Sequence, residues 1–139
     1  MKEQNDNMKK GSKPHGEVLT QTIAMPADAN ADGDIFGGWI MSQMDLGGGI
    51  LAKQIAKSRV VTVAVKGMTF HCPVLVGDTV TCFGRCTRLG KTSMDIHIET
   101  WVHRGTEREL LKVTEGLFIF VAIDENRRPK LIDRECALC

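Results

Sequence analysis

The sequence lacks the features that would direct it to a membrane or to a nucleic acid. Its 18 basic and 17 acidic residues leave a net charge of +1, which argues against bulk electrostatic binding of nucleic acid or lipid. No run approaches the roughly 20 apolar residues of a membrane span, and the polar first 16 residues contain no signal-peptide core. We therefore expect a cytoplasmic protein that binds neither nucleic acid nor a membrane.

The common motifs of nucleophilic and metal catalysis are also missing. There is no G-x-S-x-G, and no serine or cysteine is followed by an obvious base. Cys136 and Cys139 form a lone C-x-x-C, but zinc would need two further ligands. We expect no metal site, five reduced cysteines, and surface or packing roles for His71, His97 and His103.

The length and the hydrophobic pattern predict one domain with one long helix. A chain of 139 residues is large enough for a single core. Alternating or apolar runs predict strands at 17–25, 59–73, 79–89, 93–103 and 110–123, with a helix from Trp39 to about Lys57. Strands that follow a single helix and are joined by short turns indicate an antiparallel sheet and an α+β fold. We expect a disordered lead at 1–16, a domain at 17–125 and a polar tail at 126–139.

The clearest alternation in the chain predicts the two faces of the fourth strand. Its apolar side consists of Met94, Ile96, Ile98, Thr100 and Val102. The other side carries Asp95, His97, Glu99 and His103. This pattern predicts one dry face and one face in water.

The helix contains an aspartate that its local sequence does not favour. Ile40, Met44, Leu51 and Ile55 fall within a sector of roughly 60° at 100° per residue. Asp45 lies to one side of this stripe, next to the glycines at 47–49, each of which costs about 1 kcal/mol relative to alanine. Such violations are typical of functional sites. Asp45 is either a structural ion-pair or capping residue, or a carboxylate base in a groove kept open by glycine.

Gly37 and Gly38 precede the apolar helix. Unpaired backbone N–H groups and the positive end of the helix dipole favour an anion or a developing oxyanion there. Combined with Asp45 on the same helix, this start supplies an oxyanion site and a base or nucleophile. Those are two of the parts that acyl-group hydrolysis needs. Because about half of the helix remains uncovered by one sheet, we also expect at least a dimer.

A second cluster lies in the turn between the third and fourth strands. Arg88, Lys91, Thr92 and Ser93 are donors that suit phosphate, and Arg59 could join them. The segment Gly90-Lys91-Thr92-Ser93 is similar to the end of a P-loop, but Arg85 stands where that motif needs glycine, and a strand follows. We therefore reject nucleotide hydrolysis. The cluster is either a phosphate site or an ordinary solvated turn.

Several blocks of the sequence resemble the hotdog-fold acyl-CoA thioesterases, and among these the small bacterial YciA-like enzymes. They are MPADANADGDIFGGWIMSQMD, VVTVAVKGMTF, PVLVGDTV and GKTS, in this order, within about 18–124. The resemblance implies a curved five-stranded antiparallel sheet wrapped around one long central helix. It also implies a homohexamer built as a trimer of dimers, and hydrolysis of acyl-CoA to a free fatty acid and CoA in lipid metabolism, without a cofactor.

The resemblance also assigns roles to individual positions. The catalytic carboxylate corresponds to Asp45, the loop asparagine to Asn30, and the oxyanion N–H to Gly38 with Gly37 beside it. Asn30 and Asp45 are expected to meet across the dimer interface. The resemblance implies that the pantetheine of CoA binds along the strand after the helix, at Val61, Thr62 and Val63. It implies that the CoA phosphates lie near the turn that contains Arg88, Gly90, Lys91, Thr92 and Ser93, and we add Arg59 to these CoA-binding residues from its place at the start of the strand.

Two other functions remain open at this point. A non-catalytic acyl-CoA-binding module would use the same groove without turnover. A hotdog-type enoyl hydratase would need a histidine paired with a carboxylate near the helix, and no histidine lies between Gly16 and Phe70. For hydrolysis itself, Asp45 could activate water as a general base or attack the thioester to form a mixed anhydride.

Overall fold

The computed structural model describes residues 13–135 and places one long helix against a five-stranded sheet. The elements are β1 (Glu17–Ile23), a short 3₁₀ turn (Pro26–Asp28), α1 (Gly37–Ala56), β2 (Arg59–Phe70), β3 (Thr79–Leu89), β4 (Ser93–His103) and β5 (Leu111–Ile123). Most of the predicted lead, at 1–12, and the tail cysteines, at 136–139, lie outside the described residues.

The sheet is antiparallel throughout, in the order β1-β3-β4-β5-β2. This arrangement confirms the predicted α+β class, with five strands and one long helix. It makes β1 and β2 the edge strands, although the chain runs through α1 between them. Gly67 has a φ of +71°, and the β2 register shifts between Lys66 and Thr69. The bend expected from the change of apolar phase is therefore present.

The predicted apolar stripe of α1 faces the sheet. Ile40, Met44, Leu51 and Ile55 are all buried, and Gly48 brings the helix backbone close to β4 and β5. A Cβ on Gly48 would lie 2.6 Å from Cδ1 of Ile98, closer than real contacts allow. The opposite side of the helix exposes large apolar residues, with Leu46 60% exposed. One sheet therefore covers only one side of α1.

The face of β4 that was predicted to lie in water is partly buried. Glu99 is 1% exposed, so the prediction that it lies in water is wrong. Trp101 Nε1 donates to Glu99 Oε1 at 2.9 Å, and His15 Nδ1 lies 3.1 Å from Glu99 Oε2. Long-range partners from the N-terminal segment and from β5 cover this carboxylate, and alternation along one strand does not report such partners.

The residues that follow β5 pack on the domain. Lys130 N donates to the Ala122 carbonyl and Ile132 N donates to the Lys91 carbonyl, each at 2.8 Å. The side chain of Ile132 is 6% exposed and belongs to the core cluster. This part of the polar tail therefore closes one end of the sheet.

Two further observations bear on the sequence expectations. Across the described residues, no helix has both the length and the apolar character needed to cross a bilayer. Cys72 and Cys82 are free thiols, whereas Cys86 is disulfide-bonded. The expectation of reduced cysteines rested on the compartment alone and did not allow for that bond.

Candidate active site

The helix α1 begins without a side-chain cap. Phe36 is its N-cap residue, no side chain bonds to the first turn, and the first turn contains no acidic residue. Among the described residues, no backbone carbonyl accepts from the N–H of Gly37 or Gly38. A Cβ on Gly38 would have no atom within 4 Å. The N–H groups at this helix start are therefore accessible to a ligand oxygen.

Asp45 lies in an apolar groove that begins at this helix start. Gly38, Met41, Ser42, Asp45, Thr62, Val65 and Phe118 line the groove, which has a volume of about 390 Å³. The hydroxyl of Thr62 donates to Asp45 Oδ1 at 2.5 Å, and the Asp45 side chain is exposed within this single chain. One carboxylate oxygen is thus held by β2, while the groove gives access to the other.

Asn30 is held by the loop in which it lies. Its Oδ1 accepts from the backbone N–H groups of Asp32 and Asp34, at 2.9 and 3.1 Å. Its own N–H donates to the Asp34 carbonyl at 2.7 Å. With the oxygen engaged in the loop, the side-chain NH₂ group is the part of Asn30 that is left to donate to a ligand.

Asn30 and Asp45 line different grooves in the single chain. The Asn30 groove has a volume of about 440 Å³ and is lined by Asn30, Asp34, Ile35, Gly37, Ile40, Phe70, His71, Cys72, Pro73 and Val74. Gly37 therefore lies in one groove and Gly38 in the other. The structure brings Asp45 together with Gly38 and Thr62, and it brings Asn30 together with Gly37, but it does not join the two halves within one protomer.

An ion pair between the half-buried Arg104 and the buried Asp78 supports the loop that carries Asn30. Arg104 donates from Nε and Nη2 to the two carboxylate oxygens of Asp78, at 3.1 and 3.0 Å, and these bonds raise the pKa of Arg104. Asp78 Oδ2 also accepts from Leu75 N at 2.9 Å. The neighbouring Val74 carbonyl then accepts from Ile35 N at 2.9 Å. The sequence pattern did not single out this pair, which holds one wall of the Asn30 groove.

The residues implied in CoA binding lie at one end of the sheet. Val61 pairs with Val121, which pairs on its other side with Ser93. Val61 and Ser93 are therefore two strands apart, about 10 Å. Arg59 pairs with Ile123 at the same end, and Val63 is 55% exposed on the edge strand. Thr62 lies between these two valines and contacts Asp45.

Arg88 is already engaged by a carboxylate within this group. Its Nε and Nη2 donate to Asp95 at 3.0 Å each, and Nη2 donates to Ser93 Oγ at 2.9 Å. These bonds raise the pKa of Arg88. Gly90 allows this packing, because a Cβ there would lie 2.9 Å from Nη1 of Arg88. Lys91 and Thr92 complete the turn, and Lys91 is exposed.

One cluster in the described part of the chain has the composition of a metal site. Ligand atoms of His97, Glu99 and Glu115 lie within 4.8 Å of one another. However, Lys112 forms a salt bridge with Glu115, and its Nζ is 4.0 Å from Glu99 Oε1. The Lys112 ammonium group therefore already compensates these carboxylates from inside the cluster.

Cys72 is a free thiol that lines the Asn30 groove. Burial raises the pKa of this thiol, so it stays protonated at neutral pH. A protonated thiol is a poor nucleophile. The Cys72 thiol is therefore not activated as a nucleophile.

Comparisons with known proteins agree with this geometry. Residues 32–109 match the family described as the thioesterase superfamily. The acyl-CoA thioester hydrolase YciA of Salmonella typhimurium is 57% identical over 120 residues, which are 84% of this chain and 90% of that protein. The YciA enzyme of Escherichia coli strain K12 is 54% identical over 125 residues, 88% of this chain and 95% of the other.

Solved structures show the same fold at similar identity. HI0827, a hexameric broad specificity acyl-coenzyme A thioesterase, superimposes with a TM-score of 0.86 at 52% identity, covering 91% of this chain and 88% of that one. The hexameric thioesterase y2039 from Yersinia pestis gives a TM-score of 0.84 at 52% identity, covering 87% and 98%. The chain therefore has the hotdog fold and belongs to the thioesterase superfamily, among the YciA-like acyl-CoA thioester hydrolases.

Proposed function

We propose that this acyl-CoA thioester hydrolase uses Asp45 as its catalytic carboxylate and the helix start at Gly38 as its oxyanion site. The observation that carries the proposal is the hydrogen bond from Thr62 to Asp45 within the groove that begins at Gly38. A buried structural aspartate would be paired with a cation, whereas this one faces open space.

The chemistry follows from what these groups can donate and accept. The thioester carbonyl oxygen would accept from the N–H of Gly38, with Gly37 beside it, and would develop negative charge there. Asp45 would take a proton from an attacking water, or would itself attack the carbonyl carbon to form a mixed anhydride that water then opens. Either route breaks the C–S bond, releases CoA as a thiol and leaves a fatty acid.

The assembly that we propose is a homohexamer built as a trimer of dimers. Its support is the hexameric state of the similar enzymes HI0827 and y2039, together with the apolar residues that this chain leaves exposed. Leu46 and Ile50 on α1, and Val63 and Val65 on the edge strand β2, are 36% to 60% exposed. Asn30 of one protomer would complete the groove that holds Asp45 of its partner.

The proposal includes no cofactor and no metal, because water and the groups named above suffice for thioester hydrolysis. Thermodynamically the reaction needs no coupled energy source within the protein. A cytoplasmic location and a role in lipid metabolism remain predictions from the sequence and its resemblance.

The test is release of free CoA, followed with a thiol reagent, from acyl-CoAs ranging from acetyl to palmitoyl. We expect turnover by the wild type and a loss of at least about 100-fold in kcat for Asp45→Asn, since a catalytic acid or base contributes on the order of 10²–10⁴. Asp133→Asn, an exposed aspartate in the C-terminal segment, is the matched control and should keep wild-type rates. Full activity in folded Asp45→Asn would refute the role of Asp45, and tight acyl-CoA binding without turnover by the wild type would indicate a binding module.

A further inference from the structure

We propose that Arg104 is a positioning residue for the hydrolysis, which fixes the place of Asn30 through Asp78 and the segment at 73–78. This inference rests on the proposed function, in which Asn30 of one protomer completes the groove that holds Asp45 of its partner. It brings into the reaction a side chain that lines neither of the two grooves. The pair of Arg104 and Asp78 then has a consequence for the rate besides its structural one.

Arg104 holds both ends of the segment 73–78 with one side chain. Its Nε and Nη2 groups donate to the two carboxylate oxygens of Asp78, at 3.1 and 3.0 Å, and Nη2 also donates to the Pro73 carbonyl at 3.0 Å. A planar guanidinium suits this arrangement because its N–H groups are fixed relative to one another, whereas a lysine ammonium is a point charge on a flexible chain. The positions of Pro73 and Asp78 are therefore tied to one rigid group.

Asp78 in turn holds the turn within this segment. Its side chain is 2% exposed, and Arg104 is its salt-bridge partner among the described residues. Asp78 Oδ2 also accepts from Leu75 N at 2.9 Å. A buried carboxylate that loses its cation is strongly unfavourable. A poorer partner at position 104 should therefore turn Asp78, and with it Leu75, toward water.

The middle of the segment holds the loop of Asn30. Ile35 N donates to the Val74 carbonyl at 2.9 Å, and Asp34 forms an isolated antiparallel bridge with Leu75. Asp34 is bonded to Asn30 twice: its carbonyl accepts from Asn30 N at 2.7 Å, and its N–H donates to Asn30 Oδ1 at 3.1 Å. A displacement of the backbone at 74–75 is therefore passed through Asp34 to the side chain of Asn30.

Other contacts of the segment should preserve the fold when Arg104 is changed. Val74 is buried in the core. Ala24 N donates to the Asp78 carbonyl at 3.0 Å, and Gly77 N donates to the Ala24 carbonyl at 2.8 Å. A change at Arg104 should therefore alter the orientation of the segment more than the stability of the domain. A shift of about 1 Å in a group that acts on the substrate can cost on the order of 100-fold in rate.

The experiment is a double-mutant cycle on kcat between Arg104→Lys and Asn30→Ala, measured by release of free CoA from one acyl-CoA. Arg104→Lys keeps a positive charge beside the buried Asp78 but loses the fixed fork of donors. Arg108→Lys, at an exposed arginine further along the β4–β5 connection, is the matched control. Thermal unfolding and assembly size show that each variant is folded.

We expect Arg104→Lys to lower kcat about tenfold, because Asn30 is displaced by a fraction of an ångström. KM should change much less, because Arg104 lines neither groove. In the Asn30→Ala background, Arg104→Lys should have no further effect on kcat, since the side chain through which it acts is gone. Arg108→Lys should match the wild type in both constants.

A wild-type kcat in folded Arg104→Lys, or an equal loss of kcat in the Asn30→Ala background, would overturn the positioning role. If Arg104→Lys does not assemble, the double variant Asp78→Asn/Arg104→Gln, which leaves no buried charge at this pair, takes its place in the cycle with the same expected results. Wild-type activity in Asn30→Ala, or no CoA release by the wild type, would instead refute the proposed function on which this inference rests.

Discussion

The contacts of Asp45, rather than the helix propensity of aspartate, explain why this residue type is found inside the helix. An aspartate inside a helix is unfavourable, and among residues 13–135 the side chain of this one gains a single hydrogen bond, from Thr62. That bond fixes the carboxylate on the side of the groove and leaves it facing the open space next to Gly38. Thr62 was expected from the resemblance to border the pantetheine. Its contact with Asp45 gives it a second role, in orienting the proposed base.

Thr62→Val tests this orienting role, because valine keeps the shape of threonine but cannot donate. We expect kcat to fall about tenfold, which is the value of one hydrogen bond to a charged group. KM should change little, since the bond is made to the enzyme and not to the substrate. Thr62→Ser restores the donor and should recover most of the rate in the same CoA-release assay. A valine variant with the wild-type kcat would show that the bond has no part in catalysis.

Glu115 gives a prediction for stability against pH. Its hydrogen bond with Lys112 lowers its pKa from an ordinary value of 4.5. A carboxyl whose folded pKa is lowered stabilises the folded state above its unfolded pKa, and this contribution is lost as the pH falls through the folded pKa. Glu115→Gln should therefore unfold at a lower temperature than the wild type at pH 7.

The difference between Glu115→Gln and the wild type should shrink as the pH falls below about 4.5. Thermal unfolding at a series of pH values measures it. Glu109→Gln, an exposed glutamate in the β4–β5 connection, is the control and should show little difference at any pH. A difference for Glu115→Gln that is constant from pH 7 to pH 3 would contradict the ion-pair explanation.

The helix and the sheet meet through glycines, which have different tasks within one triplet. A Cβ on Gly48 would lie 2.6 Å from Ile98 Cδ1 and 2.9 Å from the Phe120 ring, whereas a Cβ on Gly49 would have only one contact, at 3.9 Å. The sequence placed these glycines beside Asp45 and left two explanations open. The contacts of Gly48 support close packing of the helix on the sheet, and the open space at Gly38 supports access for a ligand.

Replacement of these two glycines by alanine separates packing from propensity. Gly48→Ala should destabilise the fold by about 1–3 kcal/mol, because an overpacked core must shift to accept the methyl group. Gly49→Ala should be neutral or stabilising by up to about 1 kcal/mol, because alanine favours the helix and the added methyl group fits. Urea unfolding of both variants measures the two values. Equal losses would contradict the assignment of close packing to Gly48 rather than Gly49.

The elements were predicted well because each has a periodic pattern of its own. The bounds of β3 and β4 match the prediction, and α1 and the other strands differ from it by a few residues at their ends. The prediction that Glu99 is exposed was wrong for a different reason. Glu99 is buried against His15 and Lys112, and Ile132 packs in the core at the end of the sheet. Such contacts join residues far apart in the sequence, so the periodicity of one segment cannot report them.

Local sequence patterns also predicted part of the candidate site. Asp45 and the glycines at the helix start violate local preferences, so a single segment reveals them. The resemblance supplied Asn30, which is otherwise an ordinary loop residue. The Arg104–Asp78 pair that supports its groove spans 26 positions of sequence, and no local pattern indicates it. Arg88 matched a phosphate-binding composition, but its partner Asp95 lies on the next strand.

In the homohexamer that we propose, the two halves of the site would meet across the interface between two protomers. Within one protomer Asn30 and Asp45 line separate grooves, and the exposed apolar residues of α1 and β2 are suited to a second copy. If Asn30 of one protomer faces Asp45 of its partner, each dimer contains two composite sites. Every site then depends on one residue from each chain.

Complementation between two inactive variants measures this directly. Asn30→Ala and Asp45→Asn proteins are unfolded together, mixed in equal amounts, refolded and assayed for CoA release. A mixed dimer then has one site with both lesions and one intact site. Random pairing should restore about a quarter of the wild-type activity, since half of the dimers are mixed and each has one of its two sites intact. Activity that stays at the level of the separate variants, although the mixed assembly forms, would show that Asn30 and Asp45 do not combine across the interface.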